Sequence, residues 1–527
     1  MSDDLSRSAG PGLGRSAARG AVTVLSGQAV RISVQLAGVV IMARFLGPDD
    51  YGVVAMVTAL IGVGEVFRDF GLANAAIQAK ILTPGQKSNL FWVNSGIGLT
   101  LCLIVIACST VIADFYDDQR LVLVSMIMSS TFLFNGIVTQ FRSDLNRKMK
   151  YQRLTSTEVG AQIVALALGI TLASLDFGYW ALVTQQVAQA LILLVVMVIV
   201  TPWFPGWPDR TASIRPFLSF GANIVGAQLL NYASRNASTV VIGATLTASA
   251  VGLYNRAFQL MLLPLNQLNG PSTRVALPVL ARLDGDKNRY DAFILLGQTV
   301  MLHVVSFAFA LLGGQALSII TVALGNKWLD SVPIFQILLI AGFFQTAAYA
   351  SNWVYLSKGL TGANLRFSLI ARPVMIAFII IGSFWGLYGV VWAFTISTAL
   401  TWPFSLWWVA RSSDAPARGM FFNGMRTMVA YGFATAVSFI STFYISDDHA
   451  IVRILVGLVA IVASIALLAL IWPRFRRDVL AIIGARRLLR TSRAGGTPKK
   501  NSDGTPKSSR DTPGSASSAS PTPEESP

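Results

Sequence analysis

Residues 21–46 read AVTVLSGQAVRISVQLAGVVIMARFL, an apolar stretch interrupted by two charges, Arg31 and Arg44. A helix rises ~1.5 Å per residue and bilayer hydrocarbon is ~30 Å thick, so about 20 residues cross it. The stretch is long enough to cross, and too long for the ~7–15-residue apolar core of a cleavable secretion signal. It reads as a first span, 22–45, behind a polar segment, 1–21. Similar runs follow at 51–67, 89–113, 121–141, 157–175, 179–200, 216–245, 251–268, 292–314, 331–356, 366–386, 388–410, 425–445 and 451–472. The runs are long and unalternating, and lipid offers backbone groups no partners, so they are helices rather than strands. The fold class is therefore all-α integral membrane, with about fourteen transmembrane helices.

Composition agrees. The chain of 527 residues is 54% hydrophobic and only 13% charged, where a soluble domain carries about 25% charged residues. This excludes the soluble enzyme classes. The net charge of +16 does not point to nucleic acid, because it is dispersed. The tail, 473–527, has 11 Lys/Arg against 5 Asp/Glu, and the rest sits mainly in short loops. Alternate loops differ sharply: one set holds 19 Lys/Arg, the opposite set only Arg120, Lys327 and Arg453 among many aspartates. The positive-inside rule makes the basic set cytoplasmic and puts both termini inside. Cys102 and Cys108, six apart on one helix, point to different faces, and His303 and His449 lie far apart. No disulfide framework, metal site or cofactor motif is expected. Arg474, Arg476, Arg477, Arg486, Arg487 and Arg490 are either an amphipathic helix on anionic headgroups or a solvated flank. From Thr491 the composition is that of disorder.

An internal repeat divides the spans. Leu46-Gly-Pro-Asp-Asp-Tyr-Gly52 aligns with Leu246-Thr-Ala-Ser-Ala-Val-Gly252, and Gln28, Ala37, Val40, Leu60 and Ala76 meet identical residues 200 positions on. Each unit has six spans, so the two copies run the same way, as in parallel-repeat transporters. The expected organisation is an N-lobe, 22–213, and a C-lobe, 214–410, around a central cavity, then an added helix pair, 411–472, and a basic, then disordered, tail.

Charges inside a bilayer cost a few kcal/mol on insertion scales and mark functional sites. Arg31 lies ~15 Å into span 1, and Gln28, Arg31 and Gln35 share one helix face. The corresponding face of span 7 carries Gln228, Asn231 and Arg235. We expect the two stripes to face each other across the cavity, where guanidinium forks suit phosphate oxygens; the alternative is that they only join helices. Arg256 and Arg372 are weaker cavity candidates, Arg256 being able, like Arg44, to snorkel to the outer surface. Among buried acids, Glu158 is a candidate coupling carboxylate. Glu65 and Asp69, flanking Arg68, form either a local ion-pair cap or a coupling site. His303 is read as a hydrogen-bonded core histidine.

Ala43-Arg-Phe-Leu-Gly-Pro-Asp-Asp-Tyr-Gly52, Phe67-Arg-Asp-Phe-Gly-Leu72 and Ala76-Ile-Gln78 together resemble the signature of bacterial polysaccharide flippases of the Wzx type, within the multidrug/oligosaccharidyl-lipid/polysaccharide superfamily. The resemblance extends over about 21–472. It implies two six-helix lobes in a V, alternating access and a cationic cavity. It also implies a cargo, polyprenyl (undecaprenyl)-diphosphate-linked oligosaccharide, moved from the inner to the outer leaflet of the bacterial cytoplasmic membrane for surface polysaccharide such as lipopolysaccharide or exopolysaccharide. A glycan polymerase and export machinery are the implied partners. Rival readings are a drug/cation antiporter, which would want buried acids where arginines stand here, a lipid II flippase differing only in cargo, and a membrane glycan polymerase or ligase. The last needs a large outer loop, and the longest here has about sixteen residues.

Overall fold

The computed structural model describes residues 30–68, 82–212, 215–446 and 449–494, together with Gln28. Those residues are almost wholly helical. The elements are α1 (30–45), α2 (Pro48–Arg68), α3 (Pro84–Ala107), α4 (Ser109–Tyr116), α5 (Arg120–Arg147), α6 (Tyr151–Ser174), α7 (Tyr179–Val200), α8 (Arg215–Thr245), α9 (Ala248–Arg282), α10 (Lys287–Gly314), α11 (Ala316–Ala323), α12 (Ser331–Ser357), α13 (Thr361–Ser383), α14 (Gly386–Ser412), α15 (Ala417–Ser441), α16 (Ala450–Ile471) and α17 (Pro473–Ala494).

Ten of the described helices are long and apolar enough to cross a membrane: α2, α3, α5, α6, α7, α10, α12, α13, α14 and α16. Expected spans 7, 8 and 13 are helices of ample length, α8, α9 and α15 with 31, 35 and 25 residues. They fall short in hydropathy because they carry arginines and amides, such as Gln228, Asn231 and Arg235 on α8. Span 1 is described only in part. Asp69 and the motif residues after it, up to position 81, lie outside the described residues, as do 1–27 and 495–527.

Several helices overrun the expected spans by five to eight residues, and two differences change the layout. Span 3 is interrupted at Cys108, whose backbone (φ −91°, ψ 3°) leaves the helical region and separates α3 from α4. Span 8, expected to end at 268, continues as α9 to Arg282 through Pro264, Pro271 and Pro278. Prolines seven apart recur on one stripe, so the missing hydrogen bonds are confined to one face. Hydropathy marks where the apolar run stops, and a helix is free to run on past it.

The repeat is visible as a reciprocal contact between the first turns of α2 and α9. A Cβ on Gly52 would fall 1.7 Å from the Ala248 carbonyl oxygen, and one on Gly252 would fall 1.8 Å from the Pro48 carbonyl oxygen. The partners, 48 with 252 and 248 with 52, exchange under the offset of 200. Only glycine lets two backbones approach this closely. A second reciprocal pair flanks it. The Trp328 indole, fully buried after α11, donates to the Ala43 carbonyl at 3.0 Å and meets the Tyr51 ring edge-on. Tyr116, at the end of α4, lies against Gly243, whose Cβ would fall 2.6 Å from its ring; 43 and 243 are again repeat mates. Lys327 donates to the Phe45 carbonyl at 2.8 Å, and Arg44 to the Val322 carbonyl. The two lobes are thus closed against each other at the end that carries the acidic loops.

At the opposite end, ions join helices within each lobe. Lys358 bridges Asp284 and Asp414 at 3.0 and 2.7 Å, and its hydrogen bond holds the Asp414 carboxyl below the usual carboxylate range. Within the first lobe, Asp144 binds both Lys87 and Lys148, the latter at 2.8 Å, and Lys87 also sits over the Trp203 ring at 3.8 Å. Lys87 and Asp144 are 12% and 7% exposed. Breaking a buried pair strands the remaining charge. Asp144→Ala is therefore expected to destabilise the protein by about 3 kcal/mol, read as a lower thermal midpoint of the purified protein. An unchanged midpoint would show the pair to be solvated.

The start of the basic tail is a helix, with Arg474, Arg476 and Arg477 exposed and one residue anchoring its first turn. Phe475, in the first turn of α17, is fully buried and stacks on His303 and Trp472 with centroids 5.5 and 6.3 Å away. Arg426 pairs with Asp478 in the same turn. His303 is a core histidine, its Nδ1 2.9 Å from the Thr299 carbonyl. From Val479 the helix forms a separate unit running to Ala494.

Candidate functional site

A cavity of about 260 Å³ opens in the first lobe. α1 lines it with Arg31, Val34, Gln35, Gly38, Val39 and Met42, one helical face over three turns. Gln162 and Leu166 enter from α6, Leu182, Gln185 and Gln189 from α7, and Tyr51 from α2. Gly38 permits the close approach of α1 to α6, since a Cβ there would stand 3.0 Å from the Leu166 side chain. The last wall residue, Arg256, comes from α9 of the other lobe.

The two arginines lie in opposite settings. Arg31 is 52% exposed and stands 3.8 Å from Glu158, whose other oxygen forms an ion pair with Arg142 Nε at 3.0 Å. Arg256 is only 8% exposed. Its guanidinium lies 3.7 Å from the centre of the Tyr51 ring, Nη1 donates to Gln259 at 3.2 Å, and Nε is buried with no hydrogen-bond partner. The snorkelling reading of Arg256 is thus replaced. Tyr51 and the closed lobe contact cover it at the acidic-loop end, and the side chain lines the cavity instead. A buried cation with an open donor is costly unless an anion meets it. Tyr51 and Gln189 were not singled out in the sequence; Gln189 was readable as the partner of Gln185 four residues on, while Tyr51 joins the site only through the packing of α2 against α9.

The expected meeting of two stripes takes a different form. Arg31 and Gln35 line the cavity, whereas Gln28, Gln228, Asn231, Arg235 and Arg372 are not in its wall. Gln28, Gln228, Asn231 and Arg235 are exposed on their helices. Arg235 and Arg372 instead lie within electrostatic reach of each other where α8 packs on α13. The second lobe reaches the cavity through α9, not α8. Glu65 forms an ion pair with Arg68 at 3.2 Å, the local cap rather than a cavity acid. No acid lines the cavity, and among the described residues no cluster of His, Cys, Asp and Glu could hold a metal. The wall offers two cations and four amides, Gln35, Gln162, Gln185 and Gln189, a donor-rich surface suited to an anion bearing hydroxyls.

Comparison with known proteins places this geometry. The fold is that of the lipid II flippase MurJ in an inward closed conformation, with a TM-score of 0.65 at 14% identity over 87% of this chain and 99% of that one. The chain is 30% identical over 307 residues to the teichuronic acid biosynthesis protein TuaB of Bacillus subtilis (strain 168), covering 56% of this chain and 62% of TuaB. It is 26% identical over 361 residues to the lipopolysaccharide biosynthesis protein WzxC of Escherichia coli (strain K12), covering 67% of this chain and 72% of WzxC. Residues 41–333, more than half of the chain, match the family model for polysaccharide biosynthesis proteins, and this multi-pass membrane protein belongs to that family.

Proposed function

We propose that the protein is a flippase that moves a polyprenyl-diphosphate-linked oligosaccharide from the inner to the outer leaflet of a bacterial cytoplasmic membrane, for surface polysaccharide assembly. The observation that carries this is the cavity wall, with arginines from both lobes, amides between them and no acid. The diphosphate is the anion; the amides meet the first sugar or the outer phosphate oxygens. At about 260 Å³ the cavity is smaller than the ~300–1,000 Å³ of drug-sized pockets, so it takes the head of the cargo and leaves the other sugars and the lipid tail outside. Arg235 and Arg372 offer a second cationic element on the cargo's path. Relatives named for lipopolysaccharide and teichuronic acid biosynthesis and the fold of a lipid II flippase point the same way. Both termini face the cytoplasm in this reading, the lobes are 22–213 and 214–410, and 411–472 is an added pair.

The test is reconstitution. In proteoliposomes, wild-type protein is expected to bring undecaprenyl-diphosphate-linked oligosaccharide into reach of an enzyme or lectin on the far side. A drug cation should not be moved. Cation efflux without glycolipid movement would replace this reading by that of an antiporter.

A further inference from the structure

Arg31 has a companion whose geometry the cavity alone does not explain. Glu158 is shared unequally between two arginines from different helices. Its Oε1 stands 3.0 Å from Arg142 Nε on α5, a close ion pair. Its Oε2 stands 3.8 Å from Arg31 Nη1 on α1, near enough for charge attraction and too far for a hydrogen bond. The carboxylate is therefore anchored on Arg142 and only leans towards Arg31. Arg31 lines the cavity, while Arg142 and Glu158 stand behind it.

We propose that Glu158 is a resident counter-ion of Arg31 which the anionic head of the cargo displaces onto Arg142. The proposal rests on the diphosphate reading of the cavity. A lone guanidinium at membrane depth is costly, and a nearby carboxylate offsets part of that cost while the cavity is empty. A phosphate arriving at Arg31 competes for the same donors and repels the carboxylate. Glu158 has somewhere to go, because its nearer partner is already Arg142. No proton needs to move and no bond is made or broken. The exchange also sets a threshold: an anion must hold Arg31 better than a leaning carboxylate does, which favours a multiply charged diphosphate over a singly charged lipid headgroup. It also keeps binding weak enough for release.

The opposite lobe supplies a contrast. There Arg235, on the first helix of its repeat, lies within electrostatic reach of Arg372, a second cation, and among the described residues no ion pair to either is formed. The carboxylate at Arg31 is therefore a local device, not a requirement of the fold.

The test measures binding of undecaprenyl diphosphate, without sugar, to the full-length protein in nanodiscs at one pH. Glu158→Gln, isosteric and neutral, is expected to tighten binding about tenfold, and Arg142→Gln to weaken it about tenfold as Glu158 settles fully on Arg31, the scale of a partly exposed charge pair. The double variant should match Glu158→Gln alone, since Arg142 acts only through Glu158. Glu158→Ala, checked for monodispersity, should reproduce the tightening without the amide. If Arg142→Gln weakens binding equally in both backgrounds, Arg142 acts as a plain positive charge and the proposal falls. If Glu158→Gln changes nothing while Arg31→Gln weakens binding, the counter-ion idea falls and the cavity reading stands. If Arg31→Gln also changes nothing, the diphosphate site itself is wrong.

Discussion

Replacing Arg256 by methionine is expected to lower flipping of a diphosphate-linked oligosaccharide about 10- to 100-fold while leaving the thermal midpoint unchanged or higher. The two halves of this result have separate causes. A hydrogen bond from a charged donor to phosphate contributes ~1.5–3 kcal/mol, and ~1.4 kcal/mol is tenfold. Arg256 lines the cavity with a guanidinium that no carboxylate partners, so its removal takes a cationic contact from the cargo. The folded protein, in contrast, carries a buried guanidinium with no carboxylate partner, and exchanging buried charge for a well-packed apolar chain is often neutral or stabilising. Methionine is the informative choice because Met56, the residue 200 positions earlier, fills the corresponding place in α2 and is 1% exposed. Transport and midpoint falling together would mean that Arg256 is structural, held by Tyr51 and Gln259 for the sake of the fold.

Gly52→Leu or Gly252→Leu is expected to abolish transport by forbidding closure of the lobes at the acidic-loop end. The added Cβ alone would fall within 1.8 Å of a carbonyl oxygen, far inside contact distance, and the obstacle is backbone that cannot rotate away. Alternating access needs this end to close before the other opens. The readout is the reach of a membrane-impermeant maleimide to a cysteine introduced by Ala43→Cys. Ala43 is fully buried under Trp328 in the closed arrangement, and in the leucine variants it should label readily from outside. Loss of transport with Ala43→Cys still protected, in protein that remains monodisperse, would show that the lobes close by another contact.

Much of the fold was readable because lipid makes a strong demand on sequence. Long apolar runs, alternating loop charge and the offset of 200 can each be seen without coordinates. The break at Cys108 was not, because a change of backbone angle at one residue leaves hydropathy unchanged. Nor was the run of α9 to Arg282, since Pro271 and Pro278 read as a stop, and Ala276 and Leu280 find the core only in the folded chain. The site was half legible. Arg31 and Gln35 could be placed by depth and face, properties of one helix. Arg256 could not, because depth alone put it near the surface and only the packing of α2 on α9 turns it inward. Arg142 looked like one more topology cation until α5 and α6 were seen to bring it to Glu158.

The reciprocal glycine contact has a consequence for descent. Two halves that meet through the same atoms under exchange form the isologous interface of a symmetric dimer, here with both partners in one chain. An ancestor made of two separate copies would have had that interface already. Joining them in one polypeptide freed each half to change alone, and the changes are legible by comparing mates. Where mates still match, as at Gly52 and Gly252, the role is mechanical and serves both copies. Where they part, as at Met56 and Arg256, one copy has kept the wall and the other has taken up the chemistry.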